Sequence, residues 1–357
     1  MHAQFLLDRF RERQSFDAII WRGQTTSYRE LLSEIEKATT LLETSHVKPG
    51  SVVSLEADFT PTAIALLFSL IQRKCIVVPL NRNNTIRNLE VCAIAEVGTR
   101  IYVDDHEGTE IVCSDITPTN QLLINLQISG NPGLIVFTSG STGQPKAIVH
   151  DFSRVLTKFS LKRVSKRMIC FLLFDHMGGI NTLLHILSSN GCAILTDDRS
   201  PESVALMIEK YRVEILPTSP TFLNLFILSE SYKNHDLSSL EVITYGTEPM
   251  ALQTLQKLRE IVPRTRLLQT YGLSEFGVMR TVSKDSDSLW VKVGGDGYNL
   301  RVTDGLLEIK SETAMLGYMN APSPFDSEGW FKTGDEVEVD GEFVKILGRK
   351  SEMINVA

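Results

Sequence analysis

Between residues 27 and 80 the apolar positions follow two different rhythms. Leu31, Leu32, Ile35 and Ala38 recur at the spacing of one helical face, and Ser27 followed by Glu30 forms a capping box that marks where this helix begins. A second helix is predicted over 62–74, with Ile64, Leu67, Phe68 and Ile71 on one face. Residues 75–80 (CIVVPL) then read as a continuous apolar run, the texture of a buried strand. Strands are predicted in the same way at 134–137, 147–150, 168–174, 192–196, 214–218 and 267–270. Helices are predicted after Asp151 as N-cap, after Ser200 with Pro201 in the first turn, and over 250–262. The alternation predicts an α/β chain of layered subdomains with largely parallel sheets. From Trp290 the texture becomes short β-rich pieces separated by turns such as Asp304-Gly305 and Asp340-Gly341, which predicts a small antiparallel β-barrel or sheet over 290–347. The resulting division is 1–165, 166–289 and 290–347.

Composition narrows the function classes. With 357 residues, 43% of them hydrophobic, the chain can bury a large core across more than one subdomain. A net charge of -7 disfavours a nucleic-acid partner. No apolar run reaches the roughly 20 residues that span a bilayer, so no membrane partner is expected. The first residues lack the pattern of a signal peptide. Five scattered cysteines (Cys75, Cys92, Cys113, Cys170 and Cys192) without CxxC spacing read as reduced thiols of a cytoplasmic protein.

The segment 137–149, FTSGSTGQPKAIV, carries the strongest chemical signal. Thr138, Ser139, Ser141 and Thr142 supply hydroxyls, Gly140 and Gly143 let backbone N–H groups approach an anion, and Lys146 adds a cation. Such a loop suits a polyphosphate. The Walker A spacing is not met, and the flanks predict strand, loop, strand rather than strand, loop, helix. A ligand-free glycine–serine turn would explain the glycines, but not thirteen residues of this composition closing on Pro145 and Lys146.

The segment resembles the phosphate-binding signature of the adenylate-forming superfamily, which contains acyl-CoA synthetases, luciferases and the adenylation domains of peptide synthetases. It follows the usual TSG(S/T)TGxPKG except at Ala147, where glycine is customary. Further segments carry the same resemblance. Tyr271-Gly-Leu-Ser-Glu275 is similar to YGxTE, which implies Tyr271 against adenine, Ser274 at the α-phosphate and Glu275 on Mg²⁺. Those residue types suit a purine and a hard cation. Tyr245-Gly-Thr-Glu248 resembles the stretch bordering the nucleotide and acyl pockets, which implicates Gly246, Thr247 and Glu248. Trp330-Phe-Lys-Thr-Gly-Asp335 and Gly348-Arg349 resemble GWxxTGD and the GR pair, implying that Asp335 accepts from ribose hydroxyls and Arg349 reaches ribose or phosphate. Phe174-Asp-His176-Met-Gly-Gly179 sits where acyl-CoA synthetases carry FHxxG, which puts His176 along the path of the carboxylate; a packed, hydrogen-bonded histidine is the equal alternative. Asp175 has no assigned role. Gly179, Phe222, Gly246 and Gly272 are the acyl-pocket positions implied by the family layout.

The resemblance implies the fold of an adenylate-forming N-terminal domain and a reaction in which a carboxylate, ionised at neutral pH, attacks the α-phosphorus of ATP with Mg²⁺. Lys146, Ser274, Glu275 and His176 are the catalytic candidates. The implied acceptor is the thiol of CoA, with carrier-protein pantetheine or an amine as alternatives and a non-catalytic nucleotide- or acyl-binding relative as a further one. The family hinge falls at Ser351, so 348–357 is expected to start a hinge to a mobile C-terminal domain that this chain lacks. A form truncated at the hinge is therefore expected, with adenylation slowed and acyl transfer crippled.

Overall fold

The computed structural model describes residues 4–138, 144–295 and 297–349. The chain divides into two units, one of residues 1–166, 172–196 and 315–323, the other of 167–171, 197–314 and 324–357.

The first unit is built on a seven-stranded sheet. Ile76–Leu80 lies at its centre, and Val52–Glu56 beside it runs parallel both to it and to Thr99–Val103. Gly133–Thr138 continues the parallel set beside Ile76–Leu80, after which Lys146–Asp151 and Gly317–Tyr318 run antiparallel. Thr109–Cys113 closes the opposite edge, antiparallel to Thr99–Val103. The continuous apolar texture of 75–80 follows from this position, since all five residues of Ile76–Leu80 are buried. A second pairing places Asp17–Trp21 parallel to Cys192–Leu195 and antiparallel to Gln24–Ser27.

Helix Tyr28–Thr44 starts at the predicted capping box, which forms with both reciprocal bonds. It packs on helix Pro61–Gln72, where every residue from Ala63 to Ile71 is buried. Ser69 is a polar member of that run. Its hydroxyl donates to Ile35 O and Ala65 O at 2.9 Å each, so it is satisfied by the neighbouring helix and by its own. Glu56 is buried as well, and Arg100 reaches it with two bonds of 2.7 and 3.0 Å.

In the second unit, Arg167–Cys170, Ile215–Thr218, Val242–Tyr245 and Arg266–Gln269 form a wholly parallel run. Helices Pro201–Tyr211 and Pro220–Ser229 both start with serine as N-cap and proline in the first turn, and Leu252–Ile261 is the third helix. The predicted small antiparallel subdomain is a six-stranded sheet that begins at Thr281–Ser283 and ends with Phe343–Arg349. Asp304 and Gly305, at φ 51° and 76°, make the two-residue turn between Tyr298–Thr303 and Leu306–Ser311. The strand expected at 168–174 stops at Cys170, because residues 173–176 turn, with His176 N donating to Leu173 O at 3.2 Å. Strand Val242–Tyr245 carries no prediction from the sequence; it is only four residues long.

Outside any site, His235 links the second unit's surface to one helix. Its ring nitrogens meet Glu209 at 2.8 Å and Glu202 at 2.9 Å, both on Pro201–Tyr211. These bonds raise the histidine pKa and lower those of both glutamates. A raised histidine stabilises the fold fully below about pH 6.5 and loses that contribution as pH climbs through the raised value. The melting temperature of the wild type is expected to fall over that rise, and His235→Ala is expected to flatten the slope; an unchanged slope refutes the link.

Candidate active site

Part of the predicted site lies in the first unit. Thr138 ends one strand, Lys146 begins the next, and the two are register partners, so the ends of the segment between them meet at one pair. Ser139, Gly140, Ser141, Thr142 and Gly143 lie outside the described residues. The chain on either side of Lys146 is held by Asn320. Its Nδ2 donates to Pro145 O at 2.8 Å, and its Oδ1 accepts from Ala147 N at 3.0 Å. The Lys146 ammonium stands 5.4 Å from the centre of the Tyr318 ring, a cation–π contact. Tyr318 belongs to the two-residue strand that pairs with Lys146–Asp151.

His176 is the exposed N-cap of helix Met177–Ser188 and makes no side-chain cap bond. It lines a small pocket, partly open to solvent, together with Asp175, Phe137, Asn81 and Arg87. Buried Asn88 shapes one wall, donating to Asn81 O at 2.9 Å and to Glu56 at 3.1 Å. One carboxylate oxygen of Asp175 is buried with no hydrogen-bond partner among the described residues. Gly179 has a packing reason of its own. A Cβ there would stand 1.9 Å from Leu173 O, so the turn carrying Asp175 and His176 can lie on the helix only over a glycine.

The second unit gathers three candidates. Asp335 and Arg349 are register partners on adjacent strands, with Arg349 Nε 3.6 Å from one carboxylate oxygen. The Tyr271 hydroxyl donates to the other oxygen. Asp335 is only 6% exposed, whereas the Arg349 side chain is 48% exposed. Burial, then the Asp335 charge, push the Tyr271 pKa well up, so the phenol stays protonated and remains a donor. The backbone of Asp335 is fixed too: its N–H donates to Thr333 Oγ1 at 3.0 Å, and that hydroxyl donates to Leu307 O at 2.8 Å.

Gly272–Leu273 pairs with Gly277–Val278, which puts Ser274 and Glu275, both half-buried, in the three-residue turn between those two strands. Added Cβ atoms at Gly272 and Gly246 would fall 2.8 Å from Val278 Cα and 2.5 Å from Thr270 Oγ1, so both glycines serve close strand approach. Thr247 follows at φ 73°, a strained turn for a β-branched residue. The Glu248 carboxylate accepts from the N–H and hydroxyl of Thr221, at the start of helix Pro220–Ser229, where a negative charge is favoured. Phe222 is buried against Phe171, centroids 4.6 Å apart, so packing is the role its surroundings give it.

Residues 7–304 match the family described as AMP-binding enzyme. The chain belongs to that family. Among curated relatives it is 29% identical to 4-coumarate-CoA ligase 1 of Narcissus pseudonarcissus over 61% of this chain, and spans 46% of that protein's length. It is 25% identical to indoleacetate--CoA ligase of Aromatoleum aromaticum, covering 94% of this chain and 76% of that protein. Among solved structures, the anthranilate CoA ligase AuaEII in complex with anthranoyl-AMP superposes with a TM-score of 0.80 at 18% identity, over 99% of this chain and 78% of that one. That likeness concerns the fold: α/β layers with an antiparallel sheet, as the sequence predicted.

For an AMP-binding enzyme the donor set is consistent with a metal carried by the nucleotide. Among the described residues no group of three or more His, Cys, Asp or Glu side chains could hold a metal alone. A single carboxylate such as Glu275, completing a shell of phosphate oxygens and water, is the arrangement Mg²⁺ accepts. Sequence reasoning missed Tyr318 and Asn320, because nothing in the run GYMN announces that it returns to the lysine strand. Asn320→Ala removes both clamps on the Lys146 strand. We expect a loss of about 1–3 kcal/mol in urea unfolding and weaker ATP binding by calorimetry; unchanged ATP affinity would show that the clamp does not position the lysine.

Proposed function

We propose that this AMP-binding enzyme activates a small carboxylic acid with ATP and passes the acyl group to a thiol, in the manner of acyl- and aryl-acid CoA ligases. The observation that carries the reading is the buried Asp335 carboxylate, held from one side by Tyr271 and from the other by Arg349. A carboxylate with fixed oxygens and remaining lone pairs is a receptor for a vicinal diol such as ribose.

In this reading Tyr271 and Asp335 hold the nucleoside, with Arg349 beside the ribose or phosphates and Gly246, Thr247 and Glu248 bordering it. Lys146, Thr138 and the hydroxyls and amides of 139–143 hold the β- and γ-phosphates, and Ser274 fixes the α-phosphate. A carboxylate oxygen attacks the α-phosphorus, the bond to the bridging β-phosphate oxygen breaks, and pyrophosphate leaves with the electron pair. The acid is already ionised, so no base is required, and His176 serves to line its path. Mg²⁺ on Glu275 would supply charge neutralisation. The remaining contribution is alignment. Gly179, Phe222, Gly246 and Gly272 border the acyl chain. A thiol then attacks the acyl carbonyl, AMP leaves, and the thiol proton passes to solvent.

CoA is the first acceptor to test, because the relatives named above are CoA ligases. Carrier-protein pantetheine and amines are the other arms. The decisive measurement is acid-dependent exchange of labelled pyrophosphate into ATP across aryl, alkyl and amino acids, beginning with aryl acids. At least one acid is expected to support exchange, and silence across every class overturns the reading. Tyr271→Phe is expected to raise KM for ATP about five- to tenfold, the value of one hydrogen bond; an unchanged KM removes the Tyr271–Asp335 pair from nucleotide binding.

A further inference from the structure

Three parallel strands of the second unit end abreast, and the last residue of each is polar. Thr218, Tyr245 and Gln269 are register partners at the ends of Ile215–Thr218, Val242–Tyr245 and Arg266–Gln269. Two residues earlier on each strand, and so on the same face, stand Leu216, Ile243 and Leu267, all apolar and buried. The face changes from hydrocarbon to polar at the carboxyl ends of the strands, the side on which open parallel sheets bind ligands. Burial does not relax there: Thr218 is 3% exposed, Tyr245 1% and Gln269 6%.

These polar groups are buried without being paired. Among the described residues, Thr218 Oγ1 and Gln269 Oε1 have no hydrogen-bond partner. Burial alone pushes the Tyr245 pKa up, with neither a hydrogen bond nor a charge contributing, so its phenol stays a protonated donor. Polar groups close by are matched. Thr270 Oγ1 donates to Tyr245 O at 3.1 Å, Gln269 N donates to Ser283 Oγ at 2.9 Å, and Phe222 N donates to Ser219 Oγ at 3.2 Å. Buried donors and acceptors left unmatched destabilise a fold, and apolar residues of similar shape would serve packing better. An unmatched row in a matched setting calls for a bound molecule that completes it.

Each strand end leads into a position assigned above to the acyl chain. Helix Pro220–Ser229, with Phe222, follows Thr218; Gly246 follows Tyr245; and Gly272 lies three residues after Gln269. We propose that Thr218, Tyr245 and Gln269 form a specificity subsite for a neutral hydroxyl at the end of the acid remote from its carboxylate. The subsite rests on the acid-activation reading above. A hydroxyl both donates and accepts, so it gives its hydrogen to Gln269 Oε1 or Thr218 Oγ1 while accepting from the Tyr245 phenol. A second carboxylate has no hydrogen to offer the Gln269 oxygen. An ammonium would find acceptors but no counter-charge, since no charged group acts on Tyr245. An unsubstituted hydrocarbon end would leave all three groups unmet. The substrate class is therefore a hydroxylated acid, and the aryl and alkyl sources of that hydroxyl are separate arms of the test.

The test is pyrophosphate exchange by the 357-residue chain with matched acids. The pairs are para-hydroxybenzoate and benzoate, para-hydroxyphenylacetate and phenylacetate, and omega-hydroxyhexanoate and hexanoate. In at least one pair the hydroxylated acid is expected to show a kcat/KM at least about tenfold higher. Thr218→Val with Gln269→Met, which keeps shape and removes hydrogen bonding, should cut that ratio at least about fivefold. Tyr245→Phe should lower the same ratio, and it supplies the answer if the double variant does not fold. Thermal melting checks folding, and stabilisation of the protein by the same acids reads binding without the reaction. Selective stabilisation by a hydroxylated acid, lost in the variants but with no exchange from any acid, would uphold the subsite and overturn acid activation. Exchange without a hydroxyl preference, or with a preference the variants retain, would overturn the subsite and leave acid activation standing. Variants that only melt differently, with the preference intact, would assign the row to the fold and its hydration, which also overturns the subsite. Neither exchange nor selective stabilisation removes both.

Discussion

The Asp335 carboxylate is the constraint around which the second unit's share of the site is arranged. A buried charge is tolerated only when its oxygens are met by donors, and here a protonated phenol and a guanidinium meet one oxygen each. The strand register decides which guanidinium it is, since Asp335 faces Arg349 across adjacent strands. The hydrogen bond from Tyr271 fixes the ring of that residue, and the turn with Ser274 and Glu275 follows directly. Two residues from separate stretches of sequence, Tyr271 and Arg349, thereby meet on one side chain.

In the first unit the corresponding constraint is backbone rather than charge. Lys146 opens a strand whose free edge would otherwise leave the lysine on a loosely held end. The segment 317–320 removes that freedom by adding a strand, bracketing the lysine with both ends of the Asn320 amide, and placing the Tyr318 ring beside the ammonium. A phosphate ligand gains from a cation already ordered, because less side-chain entropy remains to be lost on binding.

Several glycines of the resemblance turn out to have a second cause. Gly179, Gly246 and Gly272 each sit where a methyl group would collide with neighbouring backbone or a fixed side chain. Their presence is explained by packing whether or not a ligand approaches them, so they are weaker witnesses to function than Asp335 or Lys146. Glu248 is similar, its carboxylate being engaged at a helix N-terminus. The polar groups with buried or clamped settings carry the functional argument.

Local pattern made much of this protein legible in its sequence. The capping box at Ser27, the N-caps at Asp151 and Ser200, the apolar run at 76–80 and the Asp304-Gly305 turn all form, because each depends on residues within a few positions of one another. The candidate chemistry was also local: the hydroxyl–glycine run ending at Lys146, the tyrosine at 271 and the aspartate at 335 were readable as residue types. What the sequence could not supply was which distant side chain holds each of them. That Asn320 clamps Lys146 across 174 positions of chain and that Tyr271 donates to Asp335 are consequences of strand register and packing. Spacing along the chain determines helices, strands and turns, whereas partners far apart in sequence are chosen only when the folded backbone brings their donors and acceptors within about 3 Å.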